Sequence, residues 1–196
     1  MTSFHHAGGH ELVCVRHGET EWSRDGRHTG RSDIPLTSRG RESAKALGEA
    51  LSGWRFVLVL TSPLLRASDT AALAGYGDVV EMSEDLLEWD YGEYDGVTTA
   101  TIRETVPGWT VWTHGAKGGE AADAVAARAD RVIASVRAAD GPVLVFAHGH
   151  YLRVLAARWL GFGPAEGRLF GLDPATISVL GWERETPVVR RWNAPP

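Results

Sequence analysis

Apolar residues recur along this chain in two rhythms. Unbroken runs of strand length occur at Leu12–Val15, Phe56–Leu60 and Pro142–Ala147, and Val79–Met82, interrupted by Glu81, reads as a short third strand in chain order. Runs that are apolar on both faces are what a sheet covered on both sides requires. Helical spacing separates them. Thr37 or Ser38 can cap a helix to about Leu51 that sets Ala44, Leu47 and Leu51 on one face. Ser62-Pro63 predicts the start of a second helix running to Gly75, with Ser62 as cap, Pro63 in the first turn and Arg66 close behind. A short helix is expected over Thr98–Val106, ended by Pro107-Gly108. A long one follows over Glu120–Ala138, with Ala124, Val125, Arg128, Val132 and Val136 as its stripe, and another over Tyr151–Leu160, ended by Gly161.

The remaining stretches read differently. Glu19–Pro35 is polar and glycine-rich and Leu86–Gly96 is acidic and aromatic; both are expected as loops, while Trp109–Gly119 mixes aromatic residues with glycine. Ala175–Trp182 and Pro187–Trp192 alternate well enough to be strands with a turn near Glu183-Arg184, placed to close the sheet antiparallel. The order predicts an α/β fold: a three-layer α/β/α arrangement with a mostly parallel central sheet and an antiparallel edge.

Composition narrows the function. The 196 residues suit a single domain over 11–196, with residues 1–10 as a disordered leader that carries no signal-peptide core. A net charge of −5 makes nucleic acid or an acidic membrane an unexpected partner. No apolar stretch approaches membrane-spanning length, and a cytoplasmic location is the default expectation. Cys14 is the only cysteine, so no internal disulfide can form, and its place in the first apolar run marks it as a small buried hydrophobe.

The candidate chemistry sits just past the strands. Arg16 and His17 follow the first run, Arg66 the second and His148 the last. Ligands of open α/β sheets bind beyond the carboxyl ends of the strands. Two arginines and two histidines gathered there form a cationic pocket, arginine forks suit phosphate oxygens, and nearby helix starts would offer free backbone N–H groups. A phosphoryl group is the natural guest. No metal and no cofactor is expected: the pocket residues have no HxxxH or CxxC spacing, and the arginines would oppose a divalent cation, while His5, His6 and His10 of the leader could bind metal only loosely. The acidic loop can supply a general acid, but position alone does not separate Glu88 from Asp85, Asp90, Glu93 or Asp95.

Four motifs appear in order: Arg16-His17-Gly18-Glu19-Thr20, Thr61-Ser62-Pro63 with Arg66-Ala67, Leu87-Glu88 with Tyr91-Gly92 and Gly96, and Ala147-His148-Gly149. Together, over about residues 11–182, they resemble the histidine phosphatase (phosphoglycerate mutase-like) superfamily. Glu88–Gly96 and Phe146–His150 bring the resemblance closest to its acid phosphatase and sedoheptulose bisphosphatase branch. The resemblance implies that His17 is a nucleophile that becomes phosphohistidine. It implies that Arg16, Arg66 and His148 hold the transferring oxygens, and that Glu88 protonates the leaving oxygen. It places Ser23, Thr29 and Gly30 where the family's loop touches phosphate or substrate, although the family often has Asn where this chain has Ser23. Tyr91 and Gly149 join them as substrate-binding residues.

The activity so implied is a metal-independent phosphatase acting on a small phosphorylated metabolite such as a sugar phosphate. Phosphoglycerate mutase activity is the nearest rival, but Val111–Lys117 is short and lacks the paired arginines of the mutases. A phospholigand-binding module on an inactive fold is opposed by the intact set of five reactive residues. Glu19 is expected to order the arginines, His150 to cap or support, and Trp22 and Trp89 to pack. His28 is left open as a pocket-lining residue, and a homodimer through the edge strand is likewise left open.

Overall fold

The computed structural model describes residues 11–196. The leader expected over residues 1–10 lies outside the described residues. Six strands form a single sheet: β1 (Leu12–Arg16), β2 (Leu58–Thr61), β3 (Glu81–Met82), β4 (Val143–Ala147), β5 (Ile177–Glu183) and β6 (Thr186–Ala194). Their order is β3-β2-β4-β1-β5-β6. The first four in that order run parallel, and β5 and β6 close one edge antiparallel, as the alternation predicts.

Register is what makes a site of this sheet. Arg16 stands opposite Ala147, and Thr61 opposite Phe146, so β2, β4 and β1 end level with one another. Backbone pairing continues one residue further: His17 N donates to Ala147 O at 3.0 Å and Ser62 N to Phe146 O at 3.0 Å. The chain past these three neighbouring strands therefore emerges along one rim.

Period-two alternation sorts the strand residues between two cores. Leu12, Cys14, Val143, Val145 and Leu180 pack with α6 (Ala122–Ala138) and α7 (Gly149–Trp159) on one face. Val13, Val15, Leu144, Phe146 and Ile177 pack on the other, against Leu47 and Leu51 of α2 (Ser38–Leu51) and Ala71 of α3 (Leu65–Ala71). Both layers are buried, which is why the strand sequences are apolar throughout. Among the described residues no helix is long and apolar enough to cross a membrane.

Several local expectations change. The loop expected over Glu19–Pro35 contains a short helix, α1 (Glu21–Arg24), and the aromatic, glycine-rich Trp109–Gly119 contains another, α5 (Val111–His114), each begun by a threonine. Thr20 Oγ1 accepts from Ser23 N at 3.1 Å, Thr20 N donates to Ser23 Oγ at 2.9 Å, and Thr110 Oγ1 accepts from Thr113 N at 3.3 Å. The remaining helix, α4 (Thr99–Thr105), is capped by Thr98. β2 begins only at Leu58: Val57 is exposed, and Phe56 stacks on Trp54 with centroids 5.5 Å apart. β3 shrinks to two residues because Val79 N and Val80 N both donate to Tyr76 O, closing a turn. α3 starts at Leu65, not at Pro63. Ser62 Oγ accepts from Leu64 N ahead of the helix, and the cap is supplied from far away by Asp33 Oδ1, 2.7 Å from Leu65 N. In α6, Ala124 lies in the first turn and faces solvent, while Val125, Arg128, Val132 and Val136 are buried.

Candidate active site

His17 leaves the end of β1 and is only 4% exposed. Its Nδ1 stands 2.7 Å from Gly18 O. A carbonyl can only accept, so Nδ1 carries the proton and Nε2 keeps a free lone pair. Burial, reinforced by Arg66 and Arg16, holds the imidazole well below its ordinary pKa, more than the Gly18 hydrogen bond restores. A neutral ring with a lone pair at Nε2 is the state a nucleophile needs. Gly18 serves packing, not ligand approach: its N–H donates to Thr70 Oγ1 at 3.0 Å, and a Cβ there would stand 2.5 Å from the Gly40 carbonyl oxygen of α2.

Arg66 projects from the first turns of α3 and is fully buried. Nε donates to His148 Nδ1 at 3.1 Å, Nη1 to Ser32 O at 2.9 Å, and Nη2 to Thr29 O and Gly30 O at 3.0 and 2.9 Å. Four of its five N–H groups are thus committed to the protein, leaving one on Nη1. The arginine bond makes His148 Nδ1 an acceptor, so the His148 proton sits on Nε2 and faces Ser62 Oγ at 2.8 Å. His148 is buried and, like His17, held well below the ordinary histidine value by burial and then by Arg66. The two imidazole centroids are 5.2 Å apart.

Arg16 is provisioned differently. Nη1 donates to Leu172 O, while Nε is buried without a partner among the described residues. A buried unpaired guanidinium N–H costs free energy until an acceptor arrives. Gly149, the first residue of α7, lets this guanidinium lie close, since a Cβ there would be 3.3 Å from its Cζ. Neither Arg16 nor Arg66 pairs with a carboxylate among the described residues.

The acidic loop resolves what position could not. Glu88 lines the same cavity as Arg16 and His17, a space of about 180 Å³. Its Oε1 accepts from Trp89 N and Tyr151 N, both at 2.8 Å, and its Oε2 from His150 N at 3.0 Å. The other acids are engaged elsewhere: Asp85 with Arg131, Glu93 with Lys117, Asp90 with Gly92 N, and Asp95 with Gly30 N and Ser32. The helix starts are accordingly only partly free for a ligand. Glu88 occupies two N–H groups at the start of α7 and Asp33 one at the start of α3, where the helix dipole favours a carboxylate.

The structure distributes the remaining candidates unevenly. Ser23, Thr29, Tyr91 and Gly149 line the cavity. The Ser23 hydroxyl is engaged in the α1 cap, donating to Thr20 O at 3.0 Å. Gly30, like Arg66 and His148, is buried beside the cavity: its carbonyl holds Arg66 and its N–H meets Asp95 Oδ1 at 2.7 Å. Glu19 does not order the arginines; its Oε1 accepts from Thr37 Oγ1 at 2.9 Å, over the start of α2. His150 supports through its backbone on Glu88, and its ring also lines the cavity, with Nδ1 2.6 Å from the Tyr91 hydroxyl. His28 lines the cavity too, Nε2 lying 3.1 Å from Thr99 Oγ1, and burial brings its pKa down to about 4.

Three arginines were missed, among them Arg27, which lines the cavity from the loop before α2. Arg153 reaches the cavity from α7, and Arg128, read only as part of a stripe, holds the Glu88 loop. Arg128 Nη1 donates to Asp85 O and Leu87 O at 2.9 and 2.8 Å, while Nε and Nη2 meet the two Glu120 oxygens at 2.8 Å each. An arginine on an apolar helix stripe was the available signal for Arg128. Arg153 lies three residues past His150, on the same helical face. Among the described residues no group of three or more His, Cys, Asp and Glu side chains is arranged to hold a metal ion.

Comparison with known proteins places this geometry. Residues 12–195 match the model of the histidine phosphatase superfamily (branch 1). The chain is 43% identical over 178 residues to an acid phosphatase of Mycobacterium tuberculosis, covering 89% of this chain and 87% of that protein. It is 35% identical over 185 residues to the sedoheptulose 1,7-bisphosphatase of Saccharomyces cerevisiae, covering 77% and 68%. Among solved structures, a mycobacterial glucosyl-3-phosphoglycerate phosphatase complexed with VO3 superposes with a TM-score of 0.84 at 32% identity, covering 94% of this chain and 98% of that one.

Proposed function

This chain belongs to the histidine phosphatase superfamily, and from that premise we propose that it hydrolyses small phosphomonoesters through a phosphohistidine formed on His17. The observation that carries the reading is His17 Nε2, unprotonated and unbonded, in one cavity with the unpartnered Arg16 Nε and with Glu88. The match over residues 12–195 supports reading 11–196 as one catalytic domain.

The steps follow from the donors on hand. Phosphoryl transfer asks for positioning and charge stabilisation more than for covalent chemistry by the protein. The phosphoryl group enters against Arg16 Nε and the one free N–H of Arg66. His17 Nε2 attacks phosphorus, the P–N bond forms as the ester P–O bond breaks, and Glu88 passes a proton to the departing oxygen. Glu88 Oε1 already accepts two N–H groups and Oε2 only one, so Oε2 is the oxygen with room for that proton. Water then attacks phosphorus, Glu88 takes its proton, the P–N bond breaks, and inorganic phosphate leaves. His148 backs the cavity through Arg66, and a phosphoryl oxygen would compete with Ser62 for its N–H.

The relatives named above act, by their names, on a sugar bisphosphate and on a glycosylated phosphoglycerate, and a small phosphorylated metabolite fits a cavity of about 180 Å³. Phosphate release from p-nitrophenyl phosphate and from a metabolite panel tests the reading. Phosphate binding without turnover between pH 5 and 8 would contradict it. Conversion of 3-phosphoglycerate to its isomer at rates near those of hydrolysis would replace it with a mutase.

A further inference from the structure

The charges around the cavity exceed what one phosphoryl group needs. A phosphomonoester dianion carries about two negative charges, which Arg16 and Arg66 match. Arg153 and the exposed Arg27 are further arginines without a carboxylate partner among the described residues, and both line the same cavity; of the two, Arg153 is the one fixed in place. Its guanidinium is held on one side only. Nε donates to Gly167 O at 3.1 Å and Nη2 to Arg168 O at 3.3 Å, and the plane lies over the Trp112 ring with Cζ 4.6 Å from the centroid. Nη1, with two N–H groups, bonds to no described residue. Backbone carbonyls and a stacked indole fix such a fork in place without neutralising it.

Its surroundings suit a ligand group. Trp112 lies 5.0 Å from His150 between ring centroids, and the His150–Tyr91 hydroxyl pair adds further polar atoms to that wall. Along α7, Arg153 follows Gly149, which flanks Arg16, by one turn, a rise of about 6 Å. A second anion placed there belongs on the same small molecule, a few bonds from the first.

Resting on the phosphatase reading, we propose that Arg153 is the core of a second-anion subsite, so that the preferred substrates carry another phosphate or a carboxylate besides the phosphoryl group that is removed. Charge-assisted hydrogen bonds of this kind are worth roughly a 10–100-fold difference in affinity.

Two matched pairs of probes read the subsite and distinguish its anion: glycerol 3-phosphate against 3-phosphoglycerate, and fructose 6-phosphate against fructose 1,6-bisphosphate. In the unaltered protein kcat/KM is expected to favour the two-anion member of at least one pair about tenfold or more. Arg153→Met should bring that ratio close to one, and Arg153→Lys should leave an intermediate ratio, because a point charge replaces the fork. Ratios near one in both pairs, or a preference that survives Arg153→Met, would overturn the proposal. Calorimetric binding of the same four compounds to His17→Ala reads the subsite without turnover. Tighter binding of a two-anion member there supports it, and equal affinities count against it even if all four are hydrolysed. A binding preference with no hydrolysis of any probe strikes the phosphatase reading and leaves the subsite standing.

Discussion

Acid should unfold this protein steeply, and its active site is the cause. His17, His28, His148 and His150 all surround the cavity, and all have pKa values below the ordinary histidine value, first of all through burial. Arg66 and Arg16 add to the effect at His17, and Arg66 at His148, while Arg153 does so at His150. In the unfolded chain these groups titrate near 6.5. Below that pH, and above each folded value, the unfolded chain binds protons that the folded one refuses, so stability falls as pH falls. Each histidine contributes about 1.4 kcal/mol per pH unit across its window, and the four together about 5 kcal/mol per unit. His28, brought down to about 4, alone removes roughly 3 kcal/mol between pH 6.5 and 4. Against a total stability of about 5–15 kcal/mol, unfolding should begin between about pH 6 and 4. Urea denaturation followed by circular dichroism from pH 7.5 downward gives the slope directly, expected near three to four protons, and His28→Gln should lower it by about one. A slope below one proton, or stability that rises as pH falls, would refute the electrostatic account of the cavity.

Arg128→Met strands Glu120 and frees the backbone that carries Glu88, so it should cost about 3–5 kcal/mol of stability. In the folded fraction, kcat for an alkyl phosphate should drop further than kcat for p-nitrophenyl phosphate, whose leaving group needs no proton; equal losses would show that Arg128 does not act through Glu88. Gly40→Ala places a Cβ 2.8 Å from Glu19 N, against backbone that cannot yield without moving the start of α2, and should lower thermal stability by about 1–3 kcal/mol. Cys14 is buried, with its thiol pushed far up by burial, so an aromatic disulfide reagent should label it in urea and leave the native protein unlabelled.

The elements legible in the sequence were those whose residues face buried surroundings. β1, β4 and the Ala44–Leu47–Leu51 face of α2 declare themselves because burial on both sides, or on one helical stripe, dictates apolar residues at fixed spacing. Arg16, His17, Arg66 and His148 could be read as strand-end groups, yet their division of labour could not. That Arg66 is largely spent on the carbonyls of Thr29, Gly30 and Ser32, while Arg16 keeps a free Nε, depends on how the loop before α2 folds back. Glu88 was named through family resemblance and not by position; what separates it from its acidic neighbours is its seat on the first N–H groups of α7, a contact 62 residues distant. α1 and α5 escaped because four-residue helices have no periodicity to read, although the Thr20–Ser23 and Thr110–Thr113 spacings were capping signals in plain view. Arg153 had no motif at all. It belongs to the site through helical geometry, and its backbone partners come from a separate turn at Gly167 and Arg168.

The central claim is covalent transfer to His17, and trapping the intermediate tests it most directly. Rapid acid-free quenching after mixing with a 32P-labelled phosphomonoester, followed by peptide mapping, should find an acid-labile, alkali-stable label on His17 that is absent from His17→Ala, a variant that should also have lost turnover while keeping its fold. Hydrolysis at undiminished rate by His17→Ala, or a label found on another residue, would contradict the account.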